Sequence, residues 1–233
     1  MTSLNPEKTI RLNKYLALHL GFSRREADEY IERGYVKVND IVVNLGARIA
    51  EDDKVIVNGK PISADTQFQY LALNKPAGYV CSRVSQGGLP TVYELLPPKY
   101  HHLKTVGRLD FASSGLILMT NDGDFTYRLT HPKFAKTKTY KVRLDHDLEP
   151  LHQQMISDYG VQLEDGVSKM SLERLSDDDR IDWQVTMSEG RNRQIRRTFA
   201  SLGYEVKKLH RTSFGNYSIG DIQPGKFEFV DMR

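Results

Sequence analysis

An arginine and an aspartate stand two residues apart in the stretch GRLDFASSGLILMTNDGDF, residues 107–125. Arg108 offers a forked set of N–H donors suited to phosphate or carboxylate, and Asp110 is a potential nucleophile or base. Taken alone, Asp110 reads as a turn or cap residue bonded to nearby backbone. A second stretch, SEGRNRQIRRTFASLGYEVKKLHR (188–211), carries Arg193, Arg196 and Arg197. At helical spacing Ile195, Phe199 and Leu202 share one face and the three arginines gather on the other. Arg196 and Arg197 have no acidic residue three or four positions away, and the one available to Arg193, Glu189, precedes the helix. Neutralisation must come from elsewhere in the fold or from a ligand.

These residues need elements to hold them. Leu116-Ile117-Leu118-Met119 is an apolar run of buried-strand length, closed by the turn signal Asn121-Asp122-Gly123. Trp183, Val185 and Met187 alternate as a strand ahead of Gly190, and a helix is expected from Asn192 to about Leu202, with Gly203 as its stop. KTKTYKVRL (136–144) has strand character, and YLALNKPAGYVCS (70–82) reads as an apolar strand leading into a Lys75-Pro76-Ala77-Gly78 turn.

Composition bounds the class. The 233 residues suffice for one or two domains with real cores. With 33 Lys and Arg against 30 Asp and Glu, the net charge of +3 permits an anionic partner without demanding one. The single cysteine, Cys81, excludes an intramolecular disulfide and reads as a small buried hydrophobe. No run is apolar enough for a signal peptide at MTSLNPEKTIRLNKY or for a membrane span later, so a cytoplasmic protein without membrane contact is expected. His101 and His102 lack a metal-ligand spacing, and QGG lacks the strand-to-helix context and lysine of a phosphate loop. Neither a metal nor a nucleotide cofactor is expected.

The first sixty or so residues form a separate pattern. RLNKYLALHL places Leu12, Tyr15, Leu16 and Leu20 at helical spacing before Gly21; Ser23 and Glu26 have capping-box spacing and open a second helix with Ala27, Tyr30 and Ile31 inward, closed by Gly34. The period then changes to two through Val36 and Val38, and through Val55 and Val57 before an Asn58-Gly59 hairpin turn. Arg24 and Arg25 sit in the first turn of the second helix, where its dipole disfavours cations. Either Asp28 and Glu29 neutralise them at i+4, or they join Arg11, Lys14, Arg33 and Lys37 in a surface that meets phosphate. The boundaries expected are a module at 1–62, a linker at 63–69 and a larger domain at 70–233.

IRLNKYLALHLGFSRREADEYIERGYVKVND resembles the S4-like RNA-binding module, and that resemblance implies contact with structured RNA. GRLDFASSGLILMTNDG, KTKTYKV and SEGRNRQIRRTFASLGYEVKKLHR, in that order behind it, resemble the RsuA group of ribosomal pseudouridine synthases over essentially the whole chain. The fold implied is α+β, with a mostly antiparallel catalytic sheet flanked by helices. The resemblance makes Asp110 the catalytic aspartate, Tyr140 the residue that stacks on the target base and Arg196 the arginine that pairs with Asp110. Leu209 becomes an apolar residue packed at the site and Arg108 a support for the strand that has lost its base. Arg193, Arg197, Arg24 and Arg25 are the further candidates for RNA contact.

The reaction so implied moves uracil from N1 to C5 attachment on one sugar, with no net redox change and no cofactor. The base must first be flipped out of its stack. Asp110 would attack the anomeric carbon or remove the 2′ proton; Arg196 would keep it charged. Ribosomal RNA of the large subunit is the expected partner, from RLNKY, SRREADEYIE and GRNRQIRR, with small-subunit RNA or transfer RNA as alternatives and a monomer as the working state. A non-catalytic assembly factor lacks a reason to keep Asp110, Tyr140 and Arg196 together, and a glycoside-cleaving enzyme wants a second carboxylate that GRLD does not offer.

Overall fold

A computed structural model describes residues 9–62 and 67–232. Residues 1–8, within the stretch read as free of a leader, and residues 63–66 of the expected linker lie outside the described residues. The chain divides into two compact units, 1–69 with 121–123, and 70–120 with 124–233.

In the first unit, β1 (Ile10–Arg11) leads into α1 (Leu12–His19), and α2 (Arg24–Glu32) follows. Gly21 and Gly34 both take positive φ just past these helices, where a glycine escapes the Cβ clash. The α2 capping box is complete: Ser23 Oγ accepts from the Glu26 N–H, and the Glu26 carboxylate accepts from the Ser23 N–H. Such a cap stabilises by about 0.5–2 kcal/mol. The strands β2 (Val36–Val38), β3 (Ile41–Val42), β4 (Arg48–Ile49), β5 (Val55–Val57) and β6 (Lys60–Pro61) complete the unit. β3, β2, β5 and β6 form one antiparallel sheet, and β1 pairs with β4. Asn58 and Gly59 both have positive φ between β5 and β6, as a two-residue hairpin of the primed type needs, and Asn39-Asp40 repeats the device between β2 and β3. Leu12, Leu16, Ala27, Ile31, Val36, Ile49, Val55 and Val57 form the core. Leu20, read as part of the inner face, is exposed because the helix ends at His19.

The second unit contains β7 (Tyr70–Lys75), β8 (Lys104–Val106), β9 (Ser114–Thr120), α3 (Gly123–Thr130), β10 (Lys138–Leu144), α4 (Pro150–Gln154), β11 (Val161–Leu163), β12 (Gly166–Ser168), β13 (Ser171–Arg174), β14 (Asp182–Met187), α5 (Gln194–Ala200), β15 (Val206–Phe214), β16 (Tyr217–Ser218) and β17 (Phe227–Phe229). Its main sheet runs β13-β14-β10-β15-β9-β7-β17, with β8 paired to β9 and β16 to β15. Every pairing in it is antiparallel except β15 with β9.

The two halves of this sheet follow different patterning. β7 and β9 are covered on both faces: Leu116 and Leu118 enter one cluster, Ile117 and Met119 another. That is why their sequences are continuous apolar runs. In β10 and β14 only one face is covered, by a core that includes Tyr140, Val142, Trp183, Val185, Ile195 and Phe199, and the sequence alternates accordingly. No helix among the described residues is long and apolar enough to cross a membrane.

Candidate active site

A cavity of about 590 Å³ opens over the second unit, within the range of small-ligand sites. Arg108, Leu109, Asp110, Tyr140, Arg193, Leu209 and Arg211 are among its lining residues. Its floor follows from strand register. Tyr140 on β10 lies directly across from Arg211 on β15, and Val142 from Leu209, so all four point to one face of the sheet. Tyr140 and Leu209 are both buried.

Asp110 is delivered by a short turn between β8 and β9, in which the Ser113 N–H donates to the Asp110 carbonyl at 3.0 Å. The Gly78 N–H donates to the Phe111 carbonyl at 2.8 Å. Lys75, at the end of β7, is completely buried and its Nζ donates to the carbonyls of Ser113 at 2.6 Å, Pro76 at 3.0 Å and Asp110 at 3.2 Å. Burial pushes the Lys75 ammonium down to about 8, with Cys81 and Asp110 pulling it up and Arg211 pushing it further down. Sequence reading takes Lys75 only as part of a turn; the signal available was a lysine ending an otherwise apolar strand. Cys81 accepts from the Leu109 N–H at 3.4 Å, and burial raises its thiol. The Asp110 carboxylate therefore stands on a turn braced from below by main-chain and lysine contacts.

The arginines of GRNRQIRR are distributed differently from the expected single cationic face. α5 begins at Gln194, two residues later than expected, because Arg193 adopts left-handed backbone at φ 46°. Outside glycine such a residue costs about 1–2 kcal/mol. Arg193 is the guanidinium within ion-pairing distance of the Asp110 carboxylate, its Nη1 lying 3.9 Å from Oδ2.

Arg196 does not make the expected direct pair with Asp110. In the first turn of α5 it reaches main-chain acceptors instead, Nη1 donating to the Val206 carbonyl at 2.6 Å and Nη2 to that of Ala112 at 3.2 Å. It thus braces the Asp110 turn from the side. Burial lowers the Arg196 guanidinium and Arg193 adds to that, while Asp110 and Glu205 oppose it.

Arg197 is neutralised from elsewhere in the fold. Its Nη2 and Nη1 donate to the Asp165 carboxylate at 2.7 and 3.1 Å, and it is not among the cavity-lining residues. Arg191 joins the same hairpin, donating to the Asp165 carboxylate at 2.9 Å and to the carbonyls of Asp165, Gly166 and Val167. The hydrogen bond from Arg197, with the charges of Arg191 and Arg197, holds the Asp165 carboxyl below the ordinary range despite a small opposing desolvation effect. Sequence spacing could not expose this pair, since the partners stand 32 residues apart.

Arg108 lies exposed at the cavity edge with no hydrogen-bond or ion-pair partner among the described residues. Arg24 and Arg25 are exposed on α2 of the other unit and reach no carboxylate among the described residues. Asp28, one of their expected i+4 partners, accepts from Asn13 Nδ2 at 2.9 Å. Among the described residues there is no cluster of His, Cys, Asp or Glu able to hold a metal.

Residues 69–201 match the family model described as RNA pseudouridylate synthase, and residues 10–55 match the S4 domain. The chain belongs to the RNA pseudouridylate synthase family. This synthase is 36% identical over 216 residues to "Ribosomal small subunit pseudouridine synthase A" of Pasteurella multocida (strain Pm70), covering 91% of each chain. It is 34% identical over 223 residues to "Ribosomal large subunit pseudouridine synthase B" of Bacillus subtilis (strain 168), covering 92% of this chain and 89% of the relative. A solved structure described as "Crystal structure of pseudouridylate synthase" superposes with a TM-score of 0.68 at 30% identity, covering 95% of the synthase and 96% of that chain.

Proposed function

We propose that this synthase isomerises a uridine of large-subunit ribosomal RNA to pseudouridine, with Asp110 as the catalytic carboxylate. The observation that carries the reading is one cavity lined by Asp110, Tyr140, Leu209, Arg108 and Arg193. In this reading the flipped uracil stacks on Tyr140 and packs against Leu209, while Asp110 faces the sugar. Arg193 Nη1 lies 3.9 Å from the carboxylate; Arg196 holds the turn that presents it. Arg108 and Arg193 stand at the mouth, where phosphate would pass, and Arg24 and Arg25 of the S4 module add contacts along the RNA. The domain division proposed is a module at 1–62 and a catalytic domain at 70–233. The C1′–N1 bond breaks with its electron pair on the base, the base turns, C5 bonds to C1′, and the proton on C5 departs as N1 takes one up.

The test is tritium release from RNA transcribed in vitro with uridine tritiated at C5, since the C5 hydrogen is lost only if the isomerisation occurs. No release from ribosomal RNA of either subunit would overturn the activity. A second reading, small-subunit RNA as substrate, has behind it the 36% identity to the small-subunit synthase of Pasteurella multocida, a value that large-subunit relatives equal. Mapping pseudouridines by carbodiimide-dependent reverse-transcription stops in RNA from a deletion strain separates the two. A stop missing from the small-subunit RNA selects the second reading.

A further inference from the structure

Arg211 is the buried charge in the cavity that the proposed mechanism leaves unused. It is 2% exposed, and its Nε donates to the Leu116 carbonyl at 2.7 Å. Neither terminal nitrogen has an acceptor among the described residues, and Nη2 is buried without a partner. The Phe214 ring lies 5.0 Å from the guanidinium carbon, a favourable but weak contact. No carboxylate among the described residues pairs with it, whereas taking an unpaired charge out of water is strongly unfavourable. Its neighbours sharpen the anomaly. The Lys75 and Lys138 ammonium groups are both pushed down chiefly by burial and further by Arg211, so two more cations lie within electrostatic reach of it, and Lys138 also lines the cavity.

The fold holds Arg211 there by an arrangement that tolerates no side chain opposite. Arg211 pairs with Gly115 in the parallel β15 and β9 contact, and a Cβ on Gly115 would lie 2.2 Å from the Arg211 carbonyl oxygen. Gly115 also has φ 107°, where an L side chain is strained. Directly across on β10 stands Tyr140. Directly opposite residues of an antiparallel pair have Cβ atoms about 4.5–5.5 Å apart. A base stacked on Tyr140 would therefore present its edge to the guanidinium. Arg108 and Arg193, by contrast, sit at the exposed mouth and suit phosphate.

We propose that Arg211 is a further catalytic residue, whose free terminal N–H groups donate to a carbonyl oxygen of the flipped uracil and stabilise the charge that base acquires on leaving the sugar. When the C1′–N1 bond breaks, its electron pair passes to the base and spreads from N1 onto the carbonyl oxygens. A buried donor aimed there strengthens its bond as that charge grows, and so favours the transition state over the bound ground state. Bond formation from C5 to C1′ neutralises the base, the C5 proton then departs as N1 takes one up, and Arg211 is left unchanged.

This inference rests on the proposed function, and one set of measurements separates the two. Single-turnover tritium release, RNA affinity and thermal stability are compared for wild type, Arg211→Lys and Arg211→Ala on ribosomal RNA tritiated at uridine C5. Removing one such donor costs about 10²-fold or more in rate, so Arg211→Ala should lose that much while affinity holds within about threefold. Free guanidinium, against sodium at equal ionic strength, should restore part of the rate. Arg211→Lys keeps the charge but gathers its donors on one nitrogen without the planar fork, and is expected to fold and to lose about tenfold in rate. A folded Arg211→Lys at the wild-type rate overturns the inference. So does loss of affinity with the rate intact, which would put Arg211 on the RNA backbone, or an Arg211→Ala defect that guanidinium leaves untouched. No release by the wild type overturns the proposed function, and this inference with it.

Discussion

The arginines of α2 and those of residues 191–197 start from the same chemistry and end in opposite circumstances. Arg24 and Arg25 are exposed, lie in a helix turn that repels them and reach no carboxylate among the described residues. In the second unit Arg191 and Arg197 are tied to Asp165, Arg196 to the carbonyls of Ala112 and Val206, and only Arg193 faces Asp110. The first pair stays on the surface without such ties; in the second group Arg191 and Arg193 line the cavity and Arg196 braces the turn beside it. An arginine's role is set by which acceptors the fold brings within about 3 Å, not by the charge run in which it stands.

The largest test removes the carboxylate on which the second group converges. Asp110→Asn keeps the shape but can neither attack nor accept a proton as a carboxylate does. It is expected to fold, to bind RNA at least as tightly, and to lose about 10²-fold or more in single-turnover rate. Pseudouridine made within about tenfold of the wild-type rate would sink the assignment.

The next contrast lies inside the second group. Arg193→Ala removes the guanidinium closest to Asp110 from an exposed position, so turnover should fall by about tenfold or more with thermal stability unchanged. Arg196→Ala leaves two carbonyls short of a donor, and stability should drop by about 1–3 kcal/mol in a denaturant titration. A stable Arg196→Ala protein with the larger loss of turnover would return the aspartate pair to Arg196.

A smaller effect is expected at Asp165, whose neutralisation frees Arg191 and Arg197. In Asp165→Asn the 161–168 hairpin should exchange its amide protons faster, with turnover reduced only a few-fold. The pH dependence has a definite sign. The folded carboxyl is held below its ordinary value, so its contribution is present above the unfolded range near pH 4 and is lost as pH falls through the lowered folded value. Acidification of the wild type should therefore loosen the hairpin only below about pH 4. Equal exchange in wild type and variant at neutral pH would remove the clamp.

The smallest change concerns the first group. Arg24→Ala and Arg25→Ala should each reduce the dependence of log affinity on log salt by about 1, with turnover at saturating RNA unaltered. An unchanged salt slope would mean that these arginines do not meet phosphate.

The sequence by itself determined what local rules control. The Ser23–Glu26 capping box, the Asn58-Gly59 hairpin and the alternation of Trp183, Val185 and Met187 are each encoded within a few residues, and each stands in the structure as expected. The doubly buried β9 was equally legible as an unbroken apolar run. The motifs carrying Asp110, Tyr140, Leu209, Arg108 and Arg193 were visible too, and the cavity gathers all five.

Only the tertiary structure decided which partner each charge takes. Asp165 meets Arg197 across 32 residues, and Lys75 reaches the Ser113 carbonyl across 38. Arg193 turns out of the expected helix through a backbone conformation that side-chain periodicity does not report. Arg211 is buried on β15, whose parallel contact with β9 leaves no room for a side chain at Gly115. Helical and strand periods record which face of an element is apolar; hydrogen bonds between elements depend on distances of about 3 Å that no period along the chain encodes.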